Sequence, residues 1–129
     1  MSMTVEARNA MLDAEYGTGA SSGTYMSLHT ADPTTTAATA AANEISGGSP
    51  AYAAKQLNLN AAASGQKTLA ANPVFDIGAG KSFSHYALWN HATSRTQANF
   101  KGSAALTAAE SAYGSQGTYT VTALTISNT

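Results

Sequence analysis

The segment Ser82-Phe-Ser-His-Tyr-Ala-Leu-Trp-Asn-His91 decides the fold class, because it carries the longest strand pattern in the chain. At the two-residue period of a strand, the large apolar side chains of Phe83 and Trp89 point to one face and that of Leu88 to the other. A strand with large apolar groups on both faces is typical of the middle of a sheet. We therefore expect a sheet built around this segment.

Shorter strand patterns lie on both sides of this segment, separated by turns rich in Gly, Pro and Asn. They cover residues 24–30, 54–60, 67–70, 74–77, 97–101, 103–106 and 118–127. The Thr/Ala tract at 34–42 fits either a surface loop or a short helical turn. This spacing predicts an all-β, single-domain antiparallel β-sandwich or jelly-roll-like fold with one short N-terminal helix. The predicted domain is 1–129, with a helix or arm at 1–16 and the sandwich at 24–129.

The N-terminal residues carry the signals of a helix over residues 4–16. Thr4 is a residue type favoured at an N-cap, and Glu6 places a negative charge in the first turn. Gly17 supplies a C-terminal stop. We expect this helix either to pack on the chain's own core or to act as an arm that docks on a neighbouring subunit.

Five side chains are candidate partner contacts. Val5, Leu12 and Tyr16 share one face of the predicted helix. Tyr52 and Tyr113 lie near loops, where exposed aromatic side chains suit a binding surface. Four other aromatic residues fit either the core or a sugar-stacking platform: Tyr25, Phe83, Tyr86 and Trp89. The core is favoured, because these residues lie in the strongest strand patterns.

The composition excludes several classes of function. Only 10% of the 129 residues are charged, and the net charge is −1, so the basic stripe of a nucleic-acid binder is missing. The chain has no cysteine, and no apolar run approaches the roughly 20 residues of a membrane span. Ala, Thr and Ser make up 59 residues, giving a weakly charged surface. Such a surface suits a protein that packs against copies of itself or against a partner.

No motif in the chain predicts chemistry, so we expect no enzyme activity, catalytic residue, cofactor or metal. Residues 78–82, Gly-Ala-Gly-Lys-Ser, end like a phosphate-binding loop, but Phe75 occupies the position where that motif needs its first glycine. His85 and His91 are too far apart along their strand for a metal site, and Asp32, the carboxylate near His29, more often caps the turn before Pro33. A Gly-x-Ser-x-Gly nucleophile elbow is also missing.

Several stretches resemble a family of small virion proteins of long-tailed bacteriophages, which include head-decoration (minor capsid) and tail-fibre (minor tail) proteins. The resemblance covers most of the chain in the expected order. It rests on residues 26–33 (Met-Ser-Leu-His-Thr-Ala-Asp-Pro), 42–53 (Ala-Asn-Glu-Ile-Ser-Gly-Gly-Ser-Pro-Ala-Tyr-Ala), 73–77 (Pro-Val-Phe-Asp-Ile), 84–89 (Ser-His-Tyr-Ala-Leu-Trp) and 114–121 (Gly-Ser-Gln-Gly-Thr-Tyr-Thr-Val).

The resemblance implies a non-enzymatic structural protein of the virion, assembled in the bacterial cytoplasm. The first expectation is a capsid decoration protein that binds the major capsid protein and cross-braces the assembled head. The alternative is a tail-fibre or minor tail protein that takes part in attachment to the host surface. In both cases we expect contacts with other virion proteins and with copies of the chain, for example as a trimer.

Overall fold

The computed structural model describes residues 1–127 and contains two helices, a short 3-10 helix and eight strands. In chain order they are α1 (Val5–Tyr16), β1 (Tyr25–His29), α2 (Ala37–Asn43), β2 (Lys55–Gln56), β3 (Gln66–Thr68), β4 (Val74–Ile77), β5 (Phe83–Trp89), the 3-10 helix (Gln97–Asn99), β6 (Phe100–Glu110), β7 (Gly117–Thr120) and β8 (Thr125–Ser127). The predicted all-β class with one short N-terminal helix is confirmed, and α2 is a second short helix. Residues 128 and 129, at the end of the predicted sandwich, lie outside the described range.

The largest sheet is antiparallel and has the strand order β2-β1-β5-β6. Strand β5 lies between β1 and β6, as its two apolar faces predicted. Its pairing with β1 is regular over five residue pairs, from Tyr25 opposite Trp89 to His29 opposite His85. This register places Ser27 and His29 on the same face as Ala87 and Trp89.

Two small antiparallel ribbons, β3–β8 and β4–β7, accompany this sheet. The main core collects buried side chains from α1, β1, β5 and both ribbons, together with the loops that join them. It consists of Leu12, Met26, Leu28, Ile45, Leu57, Leu59, Phe75, Ile77, Phe83, Leu88, Val121, Leu124 and Ile126. The fold is therefore sandwich-like, with the sheet covered on one face by ribbons and α1.

A second, smaller core includes side chains of α2 and of strand β5. Ala37 and Ala40 of α2 pack against Ala87 and Trp89, and the Phe100 ring stacks on Trp89 with 4.7 Å between ring centroids. This packing settles the alternative left open for the Thr/Ala tract. The tract forms a helix because its alanines fit closely over the indole ring.

Helix α1 has the predicted ends. The Thr4 hydroxyl oxygen accepts a hydrogen bond from the backbone N–H of Ala7 at 3.1 Å. Gly17 follows the last turn with φ +71°, and a Cβ placed there would lie 2.0 Å from the carbonyl oxygen of Ser22. Only glycine fits this turn, because both the backbone angle and the close approach exclude a side chain.

Four strand predictions were wrong in detail. Residues 97–101 begin as the 3-10 helix instead of a strand, and β6 extends well beyond the predicted 103–106. Residues 54–60 form only the two-residue β2, although Leu57 and Leu59 are both buried, as strand spacing predicted. Residues 118–127 divide into β7 and β8, because the two halves pair with different strands.

Candidate functional site

A buried set of hydrogen bonds lies on the α2 face of the sheet. The Trp89 Nε1–H donates to the Ser27 hydroxyl oxygen at 2.7 Å, and that hydroxyl lies 2.6 Å from His29 Nε2. His29 Nδ1 lies 2.8 Å from Oδ1 of Asn43, whose amide nitrogen donates to the carbonyl oxygen of Asp32. Since Oδ1 can only accept, Nδ1 carries the proton, and Ser27 donates to Nε2. Every ring nitrogen in the set is satisfied.

His29 is held in its neutral form by this arrangement. The residue is fully buried, and burial lowers its pKa, whereas the Asn43 hydrogen bond and the Glu44 carboxylate act in the opposite direction. A neutral, doubly hydrogen-bonded imidazole fixes the position of its neighbours. We interpret His29 as a connector between β1 and the end of α2.

A second polar cluster adjoins the first and centres on Glu44. Arg95 Nε donates to Glu44 Oε1 at 2.7 Å, and Arg95 Nη2 donates to Glu44 Oε2 at 3.1 Å. The guanidinium also lies over the Trp89 ring, 4.7 Å from the centroid. The Tyr52 hydroxyl donates to Glu44 at 2.9 Å and accepts from the Leu28 N–H at 3.0 Å. This bidentate pair fastens the 91–95 loop to the sheet.

A cavity of about 450 Å³ opens beside the Glu44 cluster. Small side chains form much of its wall, including Ala41, Ala53 and Ala92, together with Thr93. Arg95 and Glu44 border the cavity but already bind each other. The Tyr52 hydroxyl is also hydrogen-bonded to Glu44. The pKa of Tyr52 is raised well above its usual value, mainly by burial and to a lesser extent by the Glu44 charge. The cluster therefore acts as a structural clamp and offers no free charge to a ligand.

Helix α1 is fastened to the chain's own body at three points. The Lys67 ammonium is fully buried and donates to Asp13 Oδ1 at 2.5 Å, and this hydrogen bond is the main reason that the pKa of Asp13 is lowered. The Gly65 N–H donates to Asn9 at 2.8 Å. Near the C-terminal end of the helix, Lys101 donates to Glu15 at 3.0 Å. These bonds make α1 an integral part of the fold.

The predicted contacts on α1 are placed in three different environments. Leu12 is 2% exposed and belongs to the main core, so its side chain has no surface to offer a neighbour. Tyr16 is half-buried, with the Lys101 ammonium 5.2 Å from its ring centroid. Val5 is 39% exposed. The partner contact predicted for Val5, Leu12 and Tyr16 stays a prediction.

The two loop tyrosines are packed against the main core. Tyr52 stacks on Phe75 at 6.3 Å between centroids. Tyr113 lies 6.1 Å from Phe83, and its hydroxyl donates to the Thr118 carbonyl at 3.1 Å. Both side chains are half-buried, because each ring covers apolar side chains that would otherwise meet water. Their role as partner contacts stays a prediction.

The aromatic residues considered for a sugar platform are largely internal. Trp89 is fully buried and Phe83 is 2% exposed, while Tyr86 and Tyr25 are half-buried. Phe83 packs edge-on against Tyr119 at 4.8 Å. The core interpretation of Trp89 and Phe83 is confirmed.

A groove of about 350 Å³ runs between the sheet and the segment that joins β7 to β8. Its walls include Tyr86 and Leu106 from the sheet and Leu124 from the joining segment. Glu110, the last residue of β6, lies at this groove. The groove brings an apolar surface and a carboxylate to the edge of the sheet.

The sequence did not predict the polar cluster on the α2 face. The sequence indicates His29 only as a candidate metal ligand near Asp32. The Asp32 carboxylate instead accepts a hydrogen bond from the Thr34 N–H at 2.8 Å, as expected of a residue that caps the turn at Pro33. Within residues 1–127, no three His, Cys, Asp or Glu side chains are placed to hold a metal. Neither helix in this range is long and apolar enough to cross a bilayer.

Comparison with known protein families gives a match to this chain. A family model described as "Podophage GP4 fiber I protein gp80" matches residues 2–127. Neither the curated proteins nor the solved structures contain a match. The family match covers almost the whole chain, including every helix and strand described above. The chain therefore belongs to the podophage GP4 fiber I protein gp80 family.

Proposed function

We propose that this chain is a non-enzymatic structural component of a phage tail fibre. The observation that carries the proposal is the fibre family match over residues 2–127. The weakly charged surface and the clamped polar clusters support it, because both suit a rigid module that works through packing. Its location is then the virion.

The match supports the phage virion class that the sequence resemblance implied. It does not support the two finer expectations, a long-tailed phage and a head-decoration protein. The family description names a podophage and a fibre, so the alternative expectation, a tail-fibre protein, is the one we carry forward. A head-decoration role is the opposing outcome of the labelling experiment described at the end of this section.

A role in host attachment follows from the fibre proposal and can be tested separately from it. The internal positions of Trp89 and Phe83 remove them as a sugar-binding platform. Any receptor contact then uses other surface residues or another fibre protein. Purified chain added before infection should compete with phage adsorption if this module itself binds the host.

Immunogold labelling of intact particles tests the fibre proposal directly. An epitope tag can be inserted ahead of helix α1, for example after Met3, whose side chain is 39% exposed. We expect gold at the tail fibres and a small number of copies per particle by gel densitometry. Labelling spread over the head, with hundreds of copies, would support decoration and reject the fibre role.

A further inference from the structure

The groove between the sheet and the segment that joins β7 to β8 carries a negative charge without a counterion. Glu110 is half-buried in its wall and is the only charged residue that lines it among residues 1–127. The three ion pairs of this range use the carboxylates of Asp13, Glu15 and Glu44, so Glu110 has no cationic partner there. Partial removal of water from an unpaired carboxylate is unfavourable. A cation supplied from outside the chain would therefore be stabilised at this position.

Two tyrosine side chains lie close enough to Glu110 to respond to its charge. The pKa of Tyr119, which lines the groove, and that of Tyr113 are both raised, first by burial and second by the Glu110 carboxylate. The electric field that disfavours a phenolate favours a positive charge nearby. The faces of tyrosine rings also attract cations, and Tyr86 contributes a further ring to the groove. The groove is therefore suited to a positively charged group.

The other walls of the groove suit an aliphatic chain attached to that cation. Leu106, Val121 and Leu124 line it, together with the fully buried Met26. Its volume of about 350 Å³ is near the lower limit of the roughly 300–1,000 Å³ found for ligand sites, so the occupant is small. Lysine and arginine side chains have the required form, because each joins an apolar stem to a charged head.

The rim of the groove favours a side chain carried by a protein over a free amine. Five exposed residues with short side chains contribute to the groove: Ala105, Ala108, Thr122, Ala123 and Thr125. Sites for free small molecules enclose most of the ligand surface, whereas this rim is open to solvent. The surface of a second protein can approach closely over such short side chains and cover the rim while its basic side chain fills the groove.

The basic residues of this chain are poorly placed to fill the groove of another copy. The chain has six Lys and Arg residues; Lys67 is buried, and the other five are half-buried. Lys67, Arg95 and Lys101 are also held in ion pairs. Insertion of any of the six into a second copy would therefore remove contacts within its own chain. A different protein is the favoured source of the cation.

We propose that this groove is a docking site for a lysine or arginine side chain of a different protein, with the cation beside Glu110 and the stem against Leu106 and Leu124. The proposal goes beyond the fibre role and does not rest on it. A neutral saccharide could bind hydroxyl groups such as that of Thr107, which also lines the groove. It would leave the Glu110 charge without a counterion, which is why a basic side chain is favoured.

A nuclear magnetic resonance titration of the isotopically labelled natural chain tests the proposal. The probes are the peptides acetyl-Ala-Lys-Ala-amide and acetyl-Ala-Arg-Ala-amide. The matched control peptide has norleucine at the central position, which keeps an aliphatic stem and removes the charge. We expect a basic peptide to shift the amide signals of Leu106, Glu110 and Tyr119 with a dissociation constant on the order of 1 mM, and the norleucine peptide to bind about fivefold more weakly.

The variant Glu110→Gln removes the charge and keeps the shape of the side chain. It should weaken binding of the basic peptide about fivefold and abolish its advantage over the norleucine peptide. Glu6→Gln makes the same change at an exposed position in α1 and should alter the affinity less than about twofold. Because the two variants have the same net charge, a difference between them assigns the effect to the groove.

Several results would overturn the proposal. These are equal binding of the basic and norleucine peptides, equal effects of Glu110→Gln and Glu6→Gln, or no shift of the groove signals at about 10 mM peptide. Binding of n-butylammonium as tight as that of the basic peptide would indicate a site for free amines. Tighter binding of maltose would indicate a saccharide site. Shifts of the same signals on concentrating the natural chain alone would assign the groove to a second copy.

Discussion

Ser27 supports two buried polar groups at once, and its removal has a calculable cost. The variant Ser27→Ala deletes the hydroxyl that accepts from Trp89 Nε1 at 2.7 Å and contacts His29 Nε2 at 2.6 Å. Each buried group left without a partner costs about 1–3 kcal/mol. His29 cannot recover by changing tautomer, because Asn43 Oδ1 would then face a bare Nδ1. We expect a loss of about 3 kcal/mol.

Urea unfolding measures this loss, with Ser84→Ala as the matched control. Ser84 lies on the same sheet, and its hydroxyl is also hydrogen-bonded, but the residue is only half-buried. Water can therefore replace its lost bonds, and we expect a loss below about 1 kcal/mol. An unchanged slope with denaturant would show that both variants unfold the same surface. Equal losses in the two variants would refute the interpretation of Ser27 as a shared buried partner.

Two further predictions concern ionisable groups. Burial lowers the pKa of His29 below its value in the unfolded chain, which is near 6.5. The stability that is present above that pH should therefore fall as the solution is acidified through the folded-state pKa. The free energy of unfolding should change by up to about 1.4 kcal/mol per pH unit in this range, and by less in the variant His29→Asn. Asp13→Ala leaves the buried Lys67 ammonium without its carboxylate and should cost about 2–3 kcal/mol in urea unfolding. Lys67→Met leaves a carboxylate that is 38% exposed and should cost at least about 1 kcal/mol less, whereas the reverse order would contradict the assignment of Lys67 as the costly partner.

Local patterns were sufficient to predict much of the secondary structure. The alternation in β5 reflects burial of both faces of a central strand, and the sequence signals at Thr4 and Gly17 act through the nearest backbone groups. Helix α2 could not be predicted with the same clarity, because its alanines and threonines oppose each other in propensity. Packing of Ala37 and Ala40 on a distant indole decides the outcome.

The polar cluster was beyond sequence reasoning for a related reason. His29 and Asn43 meet because α2 returns the chain to β1, and Arg95 reaches Glu44 from a loop 51 residues later. No spacing rule connects such positions. The break between β7 and β8 likewise depends on Val121 and Leu124 both entering the core, which ends the two-residue alternation.

Trp89 is the chain's single tryptophan, and its place between α2 and β5 gives the molecule an intrinsic fluorescent reporter. Its emission should be blue-shifted while the indole is shielded from solvent and should move to longer wavelength as soon as α2 separates from the sheet. Events confined to the distant ribbons β3–β8 and β4–β7 should leave the spectrum almost unchanged. Loosening of the α2 layer can therefore be told apart from opening of the ribbons in one unlabelled sample.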